Sequence, residues 1–368
     1  SMRVEAIRSL ASWVSPSKLD RVEGRFRDLG SRPVEQIYNI FDQHIGNLLS
    51  SKSDAVREAT AEAISRLNYG NAAERLSRLA NDKSLSAKLR ASAVEALYSI
   101  DANEVDVVVA MAIKTKSPLL RSAAVRVLAK RNAESKELFP ALTKAINGTN
   151  LREQQNALDV LGSLKSKETI TLLEMQTQQL INGTANPLLQ LDILEAAKAN
   201  KSGKLAQMTL DYEASRAESA LVDRFPELLD GGDAMVGESI FRTSYTAQCI
   251  RCHKLGQVGG DVGPSLNGVA SRLDERAMLE SLIEPQAKIA DGYGLTTFTM
   301  KNGEIFTGSI EKKSANFFSI KDQSGARILI KTADIKSSSK SVSSMPPMMG
   351  ILAPRDLRDL VAFMKTLK

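Results

Sequence analysis

The chain is poor in the residues from which most metal sites and disulfide frameworks are made: its 368 residues include two cysteines and two histidines. A structural zinc site takes four nitrogen or sulfur ligands, so one cysteine pair, with His44 in a distant part of the chain, makes zinc a poor reading. Aromatic residues are sparse at 5%, which suits helical repeats packed with Ala and Leu. No apolar run is long enough to span a bilayer, and no signal peptide is evident. Ser1-Met2 reads as the remnant of a cleaved expression tag, so the natural N-terminus and any export signal are expected to lie outside the sequence. The 49 Lys and Arg are interspersed with 43 Asp and Glu, without basic runs, so a solvated surface is expected and no nucleic-acid partner. At 25% charged and 43% hydrophobic residues the composition is that of a soluble globular chain, long enough for two to three domains.

One cluster stands against this scarcity. Both cysteines and one histidine fall within five positions, Cys249-Ile-Arg-Cys252-His253. This is the spacing of covalent c-type haem attachment. Each thiol can add across a haem vinyl group to form a thioether, the two-residue gap matches the two vinyls, and His253 is placed under the iron as proximal ligand. The bland alternatives are a chance pair, a disulfide or half a zinc site, and a thioredoxin-type pair would need a βαβ context that is absent. One covalent haem c is therefore the expected cofactor. Where this motif occurs, attachment takes place outside the cytoplasmic membrane on thiols kept reduced until haem arrives, so a periplasmic or otherwise extracytoplasmic location is expected.

The first part of the chain is repetitive. The helical phrase Ala55 to Leu67 returns at Lys88 to Leu97, Leu119 to Leu128 and Leu151 to Leu161, with Arg57, Arg90, Arg121 and Arg152 standing 33, 31 and 31 residues apart. Pro187 to Ala197 reads as a fifth, degenerate copy with Gln190 at the Arg position. Partner helices are expected at Ala72 to Leu79, Val105 to Ile113, Glu137 to Ile146 and Thr169 to Leu180. One copy cannot bury its own apolar face, and Ala59, Ala63, Ala91 and Ala96 let neighbours approach, so stacking into an α-solenoid is expected. Over about 55 to 200 the copies resemble short HEAT-like repeats, and Arg3 to Leu10 reads as an earlier copy without its partner helix. Such an array can dock partners or act as a spacer. His44 reads as a polar or capping side chain and not as a ligand. The turn-rich Leu228 to Ala234 marks the expected boundary between a repeat domain, 1–228, and a second domain, 229–368.

The second domain carries the cysteine motif and resembles a single-haem soluble cytochrome c. Gly237 and Phe241 lie one turn apart on an expected first helix, and in that class such a helix crosses the last one closely; Leu360 and Phe363 supply the matching face here. The loop Gly259-Gly-Asp-Val-Gly-Pro264-Ser-Leu266 resembles the one whose proline carbonyl accepts the N–H of the proximal imidazole, which implies that role for Pro264 and haem-edge packing for Leu266. A thioether is the usual partner of His in this class, and Met345, in Ser344-Met345-Pro346-Pro347, is the expected sixth ligand, with Met348 and Met349 as alternatives. The two prolines stiffen the loop. Between His253 and Met345, alternating segments around Lys301-Asn302-Gly303 and Asp322 to Gly325 predict hairpins, so a small antiparallel sheet is expected as an insertion over about 293–336, followed by a polar loop, Ser337 to Ser344. The expected fold class is thus mainly α: a HEAT-like solenoid followed by a cytochrome c domain with a β insertion.

The string Gly237-Glu-Ser-Ile-Phe241, Cys249 to His253, Gly263-Pro-Ser-Leu266, Leu279 to Pro285, Gly292-Tyr293, Asn302-Gly-Glu304, Gly308, Met345-Pro-Pro347 and Leu357 to Phe363 resembles the C-terminal haem-binding domain of large secreted proteins of planctomycetes and their relatives. Those chains often combine a dehydrogenase β-propeller, HEAT-like repeats and this cytochrome. The resemblance covers 235 to 368 well and the repeats loosely. It implies an electron-transfer module whose partners are redox donor and acceptor proteins or a dehydrogenase domain of a parent chain. The dehydrogenase activity has no residues in this sequence, and no catalytic residue is expected. Two other readings remain open here: a haem enzyme or gas or redox sensor with a displaceable sixth ligand, and a binding scaffold with structural haem.

Overall fold

The computed structural model describes residues 2–16, 26–322 and 325–368. The chain is mainly helical with one small antiparallel sheet. It divides into two compact units, one of residues 1–185 with 192–209, the other of residues 186–191 with 210–368.

The first unit is an array of helix pairs. Helices α1 (Met2–Ala11), α3 (Asp54–Leu67), α5 (Ala87–Ser99), α7 (Pro118–Arg131) and α9 (Leu151–Ser163) stack in a row, each on the next. Helices α2 (Glu35–Leu49), α4 (Ala73–Asn81), α6 (Val105–Ala112), α8 (Leu138–Ile146) and α10 (Lys167–Ile181) alternate with them, and α11 (Gln190–Asn200) and α12 (Gly203–Ala214) follow. The local signals for these starts are in the sequence. Ser86, Ser117, Asn150 and Ser166 each accept a backbone N–H three residues ahead, as N-caps do, and Pro118 occupies the first helical position, where its missing N–H costs nothing. Small residues fill the stacking faces: Ala59, Ala63, Ala93, Ala96, Ala123 and Ala124 are all buried.

Two features depart from expectation. The first copy does have a helix after it, since α2 carries Ile37, Phe41, Ile45 and Leu49 inward at four-residue spacing and packs on α3; His44 is exposed in mid-helix and caps nothing. The fourth copy aligns on Gln154, not Arg152. Arg57, Arg90, Arg121 and Gln154 all stand fourth in their helices. Arg90 Nε donates to Ala80 O at 3.0 Å, Arg121 Nη1 to Thr115 O at 2.9 Å and Gln154 Nε2 to Ile146 O at 3.0 Å. In these three copies the residue satisfies carbonyls left open at or just past the end of the preceding partner helix, which an amide does as well as a guanidinium, while Arg57 pairs with Asp54 in its own helix. Arg152 instead donates to Gln155.

The second unit has one helical core and one sheet. Its helices are α13 (Ala234–Thr243), the single turn α14 (Cys249–Cys252), α15 (Glu275–Ile283) and α16 (Pro354–Met364). Phe241, Leu255, Met278, Leu279, Leu282, Met348, Leu357, Leu360 and Phe363 share the core. Helices α13 and α16 cross at Gly237, where a Cβ would fall 2.0 Å from Asp359 O, so a side chain of any size would push them apart. Phe241 and Phe363 meet with ring centroids 5.8 Å apart, the contact expected from sequence. The expected boundary after 228 lies inside this unit: Val222 and Leu228 belong to its core, and Arg276 on α15 grips Asp223 at 2.7 and 2.8 Å.

The sheet comprises β1 (Gly294–Met300), β2 (Ile305–Lys313), β3 (Phe317–Lys321), β4 (Arg327–Lys331), β5 (Ile335–Ser338) and β6 (Val342–Ser343). Its order is β4-β3-β2-β1-β5, all antiparallel, with β6 also on β1. Alternation puts Phe298, Met300, Ile320 and Ile330 into a small core of its own with Phe306, Phe318 and Ile335. The two hairpins lie where the turn residues predict them. The sheet runs further than expected, because Ser337, Ser338 and residues 342–343, read from sequence as polar loop, pair back onto β1.

Candidate functional site

The cysteine motif is set on a turn whose geometry follows from its neighbours. Gln248 enters α14 in the left-handed region, with φ 50°, and His253 leaves it extended. The thiols of Cys249 and Cys252 are free, the first half-buried and the second exposed. Burial pushes the Cys249 thiol above its ordinary pKa, a backbone hydrogen bond partly offsets this, and Cys252 adds to the rise; at neutral pH it is held as a protonated thiol.

The chain after His253 folds back beneath it. Leu255 and Val258 exchange backbone hydrogen bonds at 2.8 and 3.1 Å, Gly260 N donates to Ile250 O at 3.0 Å and Gly263 N to Cys252 O at 2.8 Å. Gly259, at φ +111°, makes the return, and a Cβ there would lie 2.3 Å from His253 O. Gly263 lies against the imidazole itself, a Cβ at that position falling 2.6 Å from Cε1. The next residue supplies the functional contact: His253 Nδ1 stands 2.8 Å from Pro264 O. A carbonyl can only accept, so Nδ1 carries a proton, and in the neutral ring it is Nε2 that has the lone pair.

Leu266, whose N–H donates to Lys254 O at 2.9 Å, packs against the helical core of the unit, and so do Cys249, Ile250, Met345 and Met349 as partly buried residues. Three methionines close in sequence therefore differ in setting. Met348 is a core residue, 3% exposed, with its N–H tied to Leu282 O at 2.7 Å. Met345 and Met349 lie at the rim. The sheet reaches the glycine-rich loop after His253 through Lys321, whose ammonium, 3.3 Å from Asp261, holds that carboxyl below the usual range.

Several residues here were not legible in the sequence. Asn267 clamps Gly256 from both sides, accepting from its N–H at 2.7 Å and donating to its carbonyl at 3.1 Å, and Gln286 bonds the backbone of Ser343. Single polar residues in turns belong to no periodic pattern, so nothing flagged them. Among the described residues no group of three or more His, Cys, Asp or Glu side chains is arranged to hold a metal ion, and no helix is long and apolar enough to cross a membrane.

The residues fit a group bound through two thioethers and one imidazole nitrogen: the thiols are unpaired with each other and three residues apart on one turn, and Nε2 is the ring nitrogen left for a ligand bond.

No protein-family model matches the chain, and no curated protein sequence does. Among solved structures, it is similar to the complex of CpcE and CpcF of phycocyanin lyase from Nostoc, with 19% identity over 57% of this chain and 84% of that one and a TM-score of 0.34. Human deoxyhypusine hydroxylase in complex with glycerol is a second, with 14% identity over 61% of this chain and 94% of that one and a TM-score of 0.24. At such scores neither likeness bears on what this chain does.

Proposed function

We propose that the chain is an extracytoplasmic, periplasmic-type c-type cytochrome module that passes single electrons between redox proteins, or from a dehydrogenase domain of a parent chain, with the helical repeats as scaffold or docking surface. The observation that carries this reading is the 2.8 Å contact between His253 Nδ1 and Pro264 O, next to two free thiols on one turn. Haem c, when bound, supplies a one-electron ferric/ferrous couple. Cys249 and Cys252 would hold it covalently, each sulfur forming a bond to one vinyl carbon while the thiol proton goes to the other. His253 would ligate through Nε2, with the Pro264 carbonyl fixing the ring's orientation and raising its basicity. Gly263 leaves the ring the space it occupies, because a Cβ there would fall 2.6 Å from Cε1. Met345 would be the second protein ligand; its neutral, soft sulfur would favour the ferrous state and raise the reduction potential. No residue is assigned a catalytic role.

The test is the intact mass of protein matured with a haem-attachment system, together with its spectrum. The expected result is an excess of one haem that survives acid–acetone extraction, since thioethers do not hydrolyse, and a weak far-red sulfur-to-iron band in the oxidised form. Haem that extracts fully, or none at all, would overturn the reading.

A further inference from the structure

We infer that Gln286 is a positioning residue for Met345, an inference that rests on the axial role proposed above for that methionine. The segment from Ser343 to Met348 is tied at both ends to one stretch of chain, the end of α15 and the turn after it. At the near end the Gln286 amide donates from Nε2 to Ser343 O at 3.0 Å and accepts Ser343 N–H on Oε1 at 2.9 Å. These are the two bonds that a neighbouring antiparallel strand would make. The Ser343 hydroxyl then accepts the N–H of Met345 at 3.2 Å. At the far end Met348 N donates to Leu282 O at 2.7 Å, and the Met348 side chain is in the core. Pro346 and Pro347, between them, have fixed φ and no N–H to give. Met345 is therefore held through the peptide of Ser343 on one side and a stiff, anchored dipeptide on the other.

The two ends are unequal. Met348 is buried and its removal would disturb the core, whereas Gln286 is exposed, and its bonds compete with water. Each such bond contributes little to global stability. Their loss leaves Met348, α15, the core and the pairing of residues 342–343 on β1 in place and loosens only the leading half of the segment, so the expected consequence falls on where the Met345 sulfur spends its time and not on whether the unit folds.

The experiment compares holoprotein of the wild type with Gln286→Met, which keeps the volume and loses both bonds, and Gln286→Glu, which keeps only the bond from Ser343 N–H. The control is Asn302→Ala in the β1–β2 turn of the same sheet. In Gln286→Met the far-red band should weaken, the potential should fall and CO association with the reduced form should quicken roughly tenfold, the order expected from losing two exposed hydrogen bonds, while the unfolding midpoint stays near that of the wild type. Gln286→Glu should lie between, and Asn302→Ala should leave band, potential and CO association unchanged. If Gln286→Met does not fold, Gln286→Glu decides on the same three readouts. Wild-type values throughout in the folded Gln286 variants would overturn the inference while leaving axial ligation standing. A wild type that lacks the band and takes up CO freely would instead overturn the ligation by Met345, and the inference with it.

Discussion

At the scale of single residues, chemistry depends on small differences of setting among like side chains. Met345 and Met348 are three positions apart, yet one lies at the rim of the core and the other within it. Met345→Ala in the holoprotein should therefore lose the far-red band, lower the potential and open the iron to CO, with little change in stability. Met348→Ala should keep the band and lose roughly 2 to 5 kcal/mol, the usual result of emptying a buried site of that size; a denaturant titration and one visible spectrum of each variant check both outcomes. His253 was legible from the spacing of the cysteine motif and Pro264 from the resemblance of the glycine-rich loop, and Nδ1 of the one stands 2.8 Å from the carbonyl of the other. Gln286 and Asn267 were not, because a side chain that bonds a distant backbone leaves no local pattern.

At the scale of elements, helix phase and capping were written locally, while crossings required the fold. Gly237 was read as a contact point, and its distance from Asp359 O makes it a strict one. Gly237→Ala should destabilise the second unit by about 1 to 3 kcal/mol or more, as overpacking does, measured as a drop in unfolding midpoint with the haem spectrum retained. In the repeat unit, the ring of Tyr69 is buried against Phe41 and its hydroxyl donates to Asp42. Burial first, and the Asp42 bond second, push its pKa up to about 12. A folded pKa above the unfolded value, near 10, means a contribution to stability that is complete below about pH 10 and lost as pH rises through 12. The stability difference between wild type and Tyr69→Phe should accordingly shrink between those values, and urea midpoints of the repeat fragment measured from pH 9 upward would show it; a constant difference would contradict the assignment.

At the scale of the whole molecule, residues 210–228 are the informative segment. The repeat pattern fades there, so composition placed them with the solenoid, but Val222 and Leu228 complete the core of the second unit and Asp223 binds Arg276. Of two holoprotein fragments, 210–368 should be clearly more stable than 229–368, since each buried Val or Leu is worth about 1.5 to 3 kcal/mol. Equal denaturation midpoints would mean that these residues only lie on the surface of that core. A fragment 2–209 should be helical and soluble without haem, because its helices find their cover in neighbouring repeats.

The sequence by itself determined the helical repeats, the two hairpins and the motif Cys249 to His253, because each rests on contacts or spacings of a few residues: a cap three positions away, an apolar stripe every turn, a Gly in a tight turn. Tertiary structure alone decided that Gln154 takes the place of Arg in the fourth repeat, that Ser337, Ser338 and residues 342–343 join the sheet, that 210–228 serve the second core and that Gln286 bonds the peptide of Ser343. Each of those depends on a backbone carbonyl, strand edge or cavity supplied by a distant part of the chain, and such a partner exists only once the chain has folded.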